Sequence, residues 1–342
     1  MSKAAVYKGN KTIEVVEKEN QPLKAEEVRL DVAYCGICGT DRHAYHGVMD
    51  GRIGTEAVIG HEMSGVITEC GTAVTDYKVG DVVVVRPLDW CGECPTCKRG
   101  FTHICENLNF IGLDSEGAFQ SSWNVHQRIL HRVPEGVSLK DAALVEPLAV
   151  ACHDVRRSGA ASGDFALIIG GGPIGILIAQ VLKSKGVDFV LSEVNETRLS
   201  IAESMGIKTL NPLKDDIPAS LKEMNNGSLA DVVFEVSASQ PGALSMSAFA
   251  RPRGKIVLVG IFGSNPEVCL KDFFWKELEL LGARVYAGED FDEALQILNS
   301  DDFPAETVIS KVYPLEEMEK AFRDLDEDLS VMKILVQCGD LK

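Results

Sequence analysis

Hydrophobic and polar residues follow different patterns in the two halves of the chain. Up to about residue 150, short segments rich in β-branched residues stand near Gly or Pro, as at 27–32, 64–68 and 81–85. Segments of this length and spacing are typical of strands separated by turns. They predict a meandering, barrel-like β domain in the first half of the chain.

From about residue 160, long apolar runs alternate with helical stretches. The run 165–169 is apolar at every position, as in a strand that is covered on both faces. A helix with Pro173 in its first turn follows over 173–185. Such alternation predicts a parallel, doubly wound α/β sheet. The other predicted elements of this region are strands at 189–191, 231–236 and 255–260 and a helix at 197–205.

The stretch 165–182 has no charged residue and in this respect resembles a membrane-spanning helix. Three glycines and Pro173 interrupt it, and Asp164 and Lys183 bound it. A strand, a turn and a buried helix explain this pattern better than a span does. We therefore expect no membrane association.

The last fifty residues return to short elements. Helices are predicted at 292–299 and 315–325, and a final strand at 333–336. Because a single core rarely grows beyond about 250–300 residues, the chain should form two domains. The expected division is 1–150 for the first domain, 151–288 for the second, and 289–342 as a return to the first.

Charge and cysteine usage narrow the classes of partner and compartment. The 342 residues carry 34 basic and 51 acidic side chains, a formal net charge of −17. This balance argues against binding to nucleic acid or to anionic lipid. Four of the ten cysteines lie within 91–105, and no apolar leader follows Met1. A cytoplasmic protein with a thiolate metal site fits these features better than a secreted disulfide framework.

The densest chemical signal is a group of four cysteines in a segment at about 88–108: Cys91, Cys94, Cys97 and Cys105. Four thiolates on short loops suit the closed tetrahedral site of a structural zinc ion. The alternative is an iron–sulfur cluster, which also uses C-x2-C-x2-C. That run normally ends with a nearer fourth Cys followed by Pro, whereas Glu106 follows Cys105 here. The pattern favours zinc in a structural role.

A second set of potential metal ligands is dispersed along the chain. Cys38 and His61, with Glu62 or Glu146 as the carboxylate, would supply three protein ligands and leave one exchangeable position. That arrangement is the one a catalytic zinc ion needs. Taken singly, each residue also has a structural interpretation, as a small buried residue, a core imidazole or a helix cap. The sequence does not decide between Glu62 and Glu146.

The segment G-G-G-P-I-G at 170–175 lies between a predicted strand and a predicted helix, which is the context of a dinucleotide-binding loop. Glu193 stands at the end of the next strand, where a carboxylate accepts hydrogen bonds from the ribose hydroxyls and repels a 2′-phosphate. NAD is therefore expected rather than NADP, although Arg198 nearby points the other way. The predicted cofactor-binding residues of the loop are Gly170, Gly172, Pro173, Ile174 and Gly175.

Together these motifs resemble the zinc-dependent medium-chain dehydrogenase/reductase family over essentially the whole chain. The strings that carry the resemblance are C-G-I-C-G-T-D, G-H-E-M-S-G, the four-cysteine lobe, V-E-P-L-A-V and G-G-G-P-I-G. The resemblance implies a discontinuous GroES-like catalytic domain (1–150 and 289–342), a Rossmann NAD-binding domain (151–288), and a cleft for zinc and nicotinamide. Glu146 in its V-E-P context resembles the polyol, butanediol and threonine dehydrogenase branch.

The resemblance also implies residue roles. Cys38 and His61 match the catalytic zinc ligands, and Glu62 and Glu146 match carboxylates that ligate directly, alternately or through water. Asp41 matches the residue that orients the ligand histidine. A proton relay is implied for Thr40 and His43, and contacts with NAD for Val259, Gly260, Ile261, Arg284, Val285 and Tyr286.

The predicted function is hydride transfer between a secondary alcohol and NAD, with two zinc ions per chain. A polyol or vicinal diol such as sorbitol, xylitol or butanediol is the first choice of substrate, and L-threonine, oxidised at C3, is the alternative. From a different functional class, the cysteine lobe could belong to a zinc-ribbon interaction module. By analogy with the family, we expect a homo-oligomer, either a dimer or a tetramer.

Overall fold

The computed structural model describes residues 1–341, which form two compact units. One unit combines Met1–Glu146 with the chain from Ala287 onward, and the other is Pro147–Tyr286. The first piece of the first unit is built mainly from strands. These are β1 (Ser2–Gly9), β2 (Thr12–Lys18), β3 (Glu27–Gly36), β4 (Ala57–Val58), β5 (Glu62–Cys70), β6 (Val82–Val85), β7 (Leu88–Asp89), β8 (Asn109–Phe110), β9 (Ser122–His126) and β10 (Leu130–Arg132).

Helices in this part of the chain are short, apart from the last one. They are α1 (Gly39–Tyr45), α2 (Asp50–Ile53), α3 (Pro95–Lys98), α4 (Leu139–Ala142) and α5 (Val145–Ser158), which begins here and continues into the second unit. The second unit alternates strands and helices. Its elements are β11 (Phe165–Ile169), α6 (Pro173–Ser184), β12 (Asp188–Ser192), α7 (Glu196–Ser204), β13 (Thr209–Leu210), α8 (Ile217–Met224), β14 (Ala230–Glu235), α9 (Gln240–Phe249), β15 (Ala250–Leu258), α10 (Leu270–Lys276) and β16 (Glu279–Gly282).

The chain then returns to the first unit. The returning elements are α11 (Gly288–Leu298), α12 (Ala305–Val308), β17 (Ile309–Pro314), α13 (Met318–Glu327) and β18 (Lys333–Gln337). In the larger sheet of this unit the strand order is β10-β6-β5-β3-β18-β17, and β9 also pairs with β3. The late strand β18 therefore lies between β3 and the edge strand β17, with Leu335 opposite Gly36 of β3.

The core of the first unit follows from the alternation of its strands. In β3, Leu30 and Val32 are fully buried, and Ile67 of β5 packs in the same apolar cluster. Each buried aliphatic side chain contributes roughly 1.5–3 kcal/mol relative to leaving it in water. This packing fixes the register of β3 and β5. The same register determines the positions of the residues that follow β3 and of those that precede β5.

The second unit contains a six-stranded parallel sheet in the order β13-β12-β11-β14-β15-β16. All five residues of β11 are buried, as expected for a strand with helices on both faces. In chain order this arrangement is 3-2-1-4-5-6, the Rossmann topology, in which the order reverses between β11 and β14. Ligands of such sheets bind outside the carboxyl ends of the strands at that reversal.

The uncharged stretch 165–182 divides into β11, a glycine turn and α6, as predicted. Over residues 1–341, the structure has no helix whose length and apolar character would let it cross a membrane.

The structure corrects the end of one predicted strand. The strand expected at 255–260 stops at Leu258, because Val259 and Gly260 both donate their main-chain N–H groups to the Glu235 carbonyl at 2.9 Å. Two residues expected to contact the cofactor therefore lie in a tight loop after the strand.

The helices of the last segment also begin or end away from their predicted positions. The helix expected at 292–299 begins at Gly288, because the Asp290 carboxylate accepts the Ala287 main-chain N–H at 2.7 Å and caps the helix. The helix expected at 315–325 starts as a 3-10 turn and continues as α13.

Candidate functional site

The first candidate metal site is assembled by the pairing of β3 with β5. Gly36, the last residue of β3, lies opposite Glu62, the first residue of β5. Cys38 follows two residues later at the start of α1, and His61 directly precedes β5. The donor atoms of Cys38, His61 and Glu62 consequently lie within 4.8 Å of one another. Residues 23 positions apart in sequence are thus brought together by one antiparallel pair.

Asp41 connects two of these potential ligands. Its side chain is fully buried, its Oδ2 accepts the Cys38 main-chain N–H at 2.9 Å, and its Oδ1 lies 3.5 Å from His61 Nδ1. Burial acts to lower the pKa of His61, but the Asp41 carboxylate and the Cys38 thiol raise that pKa well above its usual value. An imidazole next to this much negative charge is suited to a cation, and a metal ion takes the place of the proton when it binds.

Glu62 makes a buried ion pair that the sequence did not predict. Lys333 Nζ lies 2.7 Å from both carboxylate oxygens of Glu62 and 3.3 Å from the Ile37 carbonyl. Both side chains are 5% exposed or less. Burial acts to lower the pKa of Lys333, but Glu62 and the Cys38 thiol raise it. The Glu62 carboxylate is therefore held from one side by an ammonium group while it lies within reach of Cys38 and His61.

Gly36 makes room for this carboxylate. A Cβ atom at position 36 would lie 2.1 Å from Glu62 Oε2, so any larger residue would displace the side chain. The requirement is steric and does not depend on a special backbone angle.

The alternative carboxylate, Glu146, lies in the first turn of α5 and is buried. It is close enough to Lys333 to help raise the pKa of that lysine. Among residues 1–341, the group of donors that could share one metal ion contains Glu62 and does not contain Glu146.

The two residues expected to relay a proton lie on α1. Thr40 is half-buried and His43 is exposed. Their spacing of three residues places them on the same face of the helix. Thr40 is thus the more enclosed of the two side chains, and His43 is open to solvent.

The donor set of this site fits a zinc ion. A thiolate, an imidazole and a carboxylate are the ligand types that zinc accepts, and three protein ligands leave one position for a substrate or water. Here the three donors converge without rearrangement of the fold, and the Asp41 carboxylate lies beside the imidazole.

The second candidate metal site is the four-cysteine lobe. The Sγ atoms of Cys91, Cys94, Cys97 and Cys105 all lie within 4.8 Å of one another. The thiols are not joined by disulfides, and several receive main-chain N–H donors, such as that of Cys94 to Cys91 Sγ at 3.4 Å. Main-chain N–H groups of Glu93 and Cys94 lower the pKa of Cys91 to about 6. Main-chain donors thus favour a thiolate at Cys91, whereas burial raises the pKa of Cys97 to about 12, so a bound cation is what would keep all four sulfurs deprotonated, as in a closed metal site.

The nucleotide loop lies at the carboxyl end of β11. Gly170 has φ +111°, a conformation that favours glycine, and a Cβ at Gly175 would lie 2.0 Å from the Gly170 carbonyl oxygen. Glu193, at the end of β12, is buried and accepts main-chain N–H groups from Gly171 at 2.7 Å and from Val194 at 2.7 Å. The predicted acidic residue therefore touches the predicted loop.

The remaining predicted cofactor residues are distributed over this unit. Arg198 Nη1 lies 3.9 Å from the Glu193 carboxylate, so the two predicted residues face each other. Ile261 is 77% exposed in the loop after β15. Arg284 is exposed, Val285 has φ +50°, and Tyr286 is fully buried.

Comparison with known proteins places these sites in context. Residues 24–135 match the model of the alcohol dehydrogenase GroES-like domain, and residues 173–300 match the model named zinc-binding dehydrogenase. The chain is 52% identical to a 2-dehydro-3-deoxy-L-galactonate 5-dehydrogenase from Pseudoalteromonas atlantica, over 98% of each chain. It is 32% identical to a sorbitol dehydrogenase from Halalkalibacterium halodurans, over 94% of each.

The structure is also similar to solved structures. One of them, an alcohol dehydrogenase from Escherichia coli CFT073 complexed with NADH, superimposes with a TM-score of 0.91 and 27% sequence identity, covering 98% of this chain and 99% of that one.

Proposed function

Because the chain belongs to the zinc-dependent medium-chain dehydrogenase family, we propose that it oxidises the secondary alcohol of a polyhydroxylated substrate and transfers the hydride to NAD. The observation that carries the proposal is the convergence of Cys38, His61 and Glu62. A zinc ion held there supplies Lewis-acid polarisation of the substrate hydroxyl, and NAD supplies the hydride acceptor.

The protein residues position and deprotonate the substrate. Asp41 keeps the His61 ring oriented toward its partner donors, and Lys333 holds the Glu62 carboxylate in place. Thr40 accepts the proton of the alcohol as it gives up its own hydroxyl proton, and His43, three residues later and exposed, is the group through which a proton leaves to solvent.

The cofactor is bound by the 147–286 unit. The loop 170–175 receives the pyrophosphate at the N-terminus of α6. Glu193 accepts hydrogen bonds from the adenosine ribose hydroxyls and repels a 2′-phosphate. NAD is therefore the preferred cofactor. The four-cysteine lobe holds the second zinc ion and stabilises its own loop.

For the substrate, the identity of 52% to a dehydrogenase of 2-dehydro-3-deoxy-L-galactonate supports a sugar acid oxidised at a secondary carbinol. Polyols such as sorbitol are the second candidate substrates, because the chain is also similar to a sorbitol dehydrogenase. We propose that Met1–Glu146 with the chain from Ala287 onward, expected as 1–150 with 289–342, forms the catalytic domain, and that Pro147–Tyr286, expected as 151–288, forms the NAD domain. We also propose that the protein is a cytoplasmic homo-oligomer.

The test uses the purified full-length protein. Elemental analysis should find about two zinc ions per chain. NADH formation should be measured with 2-dehydro-3-deoxy-L-galactonate, sorbitol, xylitol, butanediol and L-threonine, each with NAD and with NADP. The highest kcat/KM is expected for the sugar acid with NAD. Turnover of none of these alcohols by a zinc-replete sample, or full activity in a metal-free one, would contradict the proposal.

A further inference from the structure

The strand β14 ends in a buried carboxylate that the proposed reaction does not use. Glu235 is fully buried, and burial raises its pKa. Its Oε1 accepts the Ser237 hydroxyl at 2.5 Å, and its Oε2 accepts the Ala238 main-chain N–H at 3.3 Å. Burying a carboxylate costs free energy unless it is hydrogen-bonded, and these two hydrogen bonds offset that cost.

The hydrogen bonds continue from Glu235 to the next helix. Ser237 Oγ lies 2.8 Å from Ser239 Oγ, and Ser239 Oγ accepts the Gly242 main-chain N–H at 3.1 Å as the cap of α9. A Cβ at Gly242 would lie 2.6 Å from both Glu235 Oε1 and Ser237 Oγ. The carboxylate, the two hydroxyls and the first turn of α9 therefore form one closed network.

This network holds an unfavourable backbone conformation. Ala238 has φ +50°, in the left-handed region that a residue with a Cβ atom rarely adopts. The Glu235 carboxylate binds the N–H of Ala238 itself and the hydroxyl of the residue before it. We refer to residues 237–239 as the Ser237 turn.

The Ser237 turn lies against two loops that carry predicted cofactor residues, the loop 170–175 and the loop after β15. A Cβ on Gly170 would lie 2.9 Å from the Ser237 main-chain nitrogen, and a Cβ on Gly260 would lie 2.7 Å from that of Ala238. The Glu235 carbonyl also accepts the N–H groups of Val259 and Gly260. A change in the turn would therefore move the two loops as well.

We propose that Glu235 is a positioning residue for the dinucleotide. It holds Ala238 of the Ser237 turn in the left-handed conformation, so that the turn, the loop 170–175 and the loop after β15 keep one arrangement. This inference rests on the proposed binding of NAD by the same unit. Because Glu235 is fully buried, it acts through the turn and does not touch the cofactor.

The test is a titration of zinc-loaded, full-length protein with NADH, followed by fluorescence. Glu235→Gln keeps the size of the side chain but replaces one acceptor oxygen with a donor. NADH should bind about tenfold more weakly, a loss of about 1.4 kcal/mol. The KM for NAD should rise by a similar factor, while kcat changes by less than about threefold, because the turn affects cofactor binding rather than hydride transfer.

A second substitution distinguishes positioning from general stability. Gly at position 238 adopts the left-handed conformation without the steric penalty. Adding Ala238→Gly to Glu235→Gln should therefore return the Kd for NADH to within about threefold of the wild type. If Glu235→Gln does not fold, Ser237→Ala removes one link of the network and should weaken NADH binding about threefold.

Asp272→Asn is the matched control. Asp272 also accepts a serine hydroxyl, that of Ser247 at 2.9 Å, within the same unit. This variant should bind NADH like the wild type. A Kd for Glu235→Gln within about twofold of the wild type, or a loss that Ala238→Gly leaves unchanged, would overturn the inference. Absence of NADH binding by the wild type itself would instead refute the proposed function.

Discussion

The two candidate metal sites are built in opposite ways. The four-cysteine lobe takes all its donors from the fifteen residues 91–105, whose only α-helix, α3, has four residues. The other site takes Cys38, His61 and Glu62 from the ends of two paired strands of a sheet, and its supporting Lys333 is 271 positions from Glu62. A local site depends on its ion for its shape, because so short a helix is not stable alone. A site built on a sheet is already shaped by the core.

The largest effect should come from Cys38→Ser, which removes a thiolate from the sheet-built site. Turnover should fall by at least about 1000-fold, equivalent to about 4 kcal/mol of transition-state stabilisation. Zinc content should fall from about two ions to one, with an unchanged circular dichroism spectrum. If that variant lost both zinc ions together with its fold, the proposed independence of the two sites would be wrong.

A large loss of stability is expected from Lys333→Met. The substitution keeps the side-chain length but leaves the Glu62 carboxylate buried without its ammonium partner. Removing one partner of a buried ion pair typically costs about 3–5 kcal/mol, which urea unfolding measures. Glu62→Gln combined with Lys333→Met is the control and should recover much of that loss. A cost of less than about 1 kcal/mol for the single variant would show that the pair does not hold the site.

Cys97→Ser tests the local lobe. We expect the loss of one zinc ion and protease cleavage within 88–108 that is about tenfold faster, because the loop loses the ligand that closes it. The free energy of unfolding of the rest of the protein should change little. The measurement is limited proteolysis with mass spectrometry of the fragments. Cleavage confined to segments outside the lobe would contradict the comparison.

A smaller effect is expected from Glu193→Ala, at the end of β12 beside the nucleotide loop. The kcat/KM for NAD should fall about tenfold and that for NADP should rise, because the carboxylate that accepts the ribose hydroxyls is removed. Glu196→Gln is the matched control. Glu196 is an exposed carboxylate on α7 that pairs with Lys214, and its loss should leave the cofactor preference unchanged. An equal drop in both variants would show that Glu193 does not select the cofactor.

The sequence could predict the features whose residues lie close together in the chain. The family matches confirm the GroES-like and Rossmann folds and the class of zinc-dependent oxidoreductase. The spacing of Cys91 to Cys105 and the glycines of 170–175 were informative because the interacting residues are neighbours in the chain. Glu193 could be placed because the next strand of a parallel sheet ends at the same edge.

Long-range pairing was the part that the sequence could not predict. Lys333 begins an apolar strand, and nothing around it indicates that its partner is Glu62. The network at Glu235 was missed for a related reason. Its importance comes from a positive φ at Ala238 and from the approach of two other loops, neither of which leaves a signal in the residues themselves.

The placement of β18 has a consequence for biosynthesis. The 147–286 unit is continuous in the chain, so it can fold as soon as it has left the ribosome. The larger sheet of the other unit lacks β18, and β17 beyond it, until the end of the chain emerges, and Glu62 lacks its ammonium partner until Lys333 is made. Nascent chains shorter than about residue 337 should therefore combine a folded 147–286 unit with an incomplete first unit, whose unpaired strand edge favours aggregation.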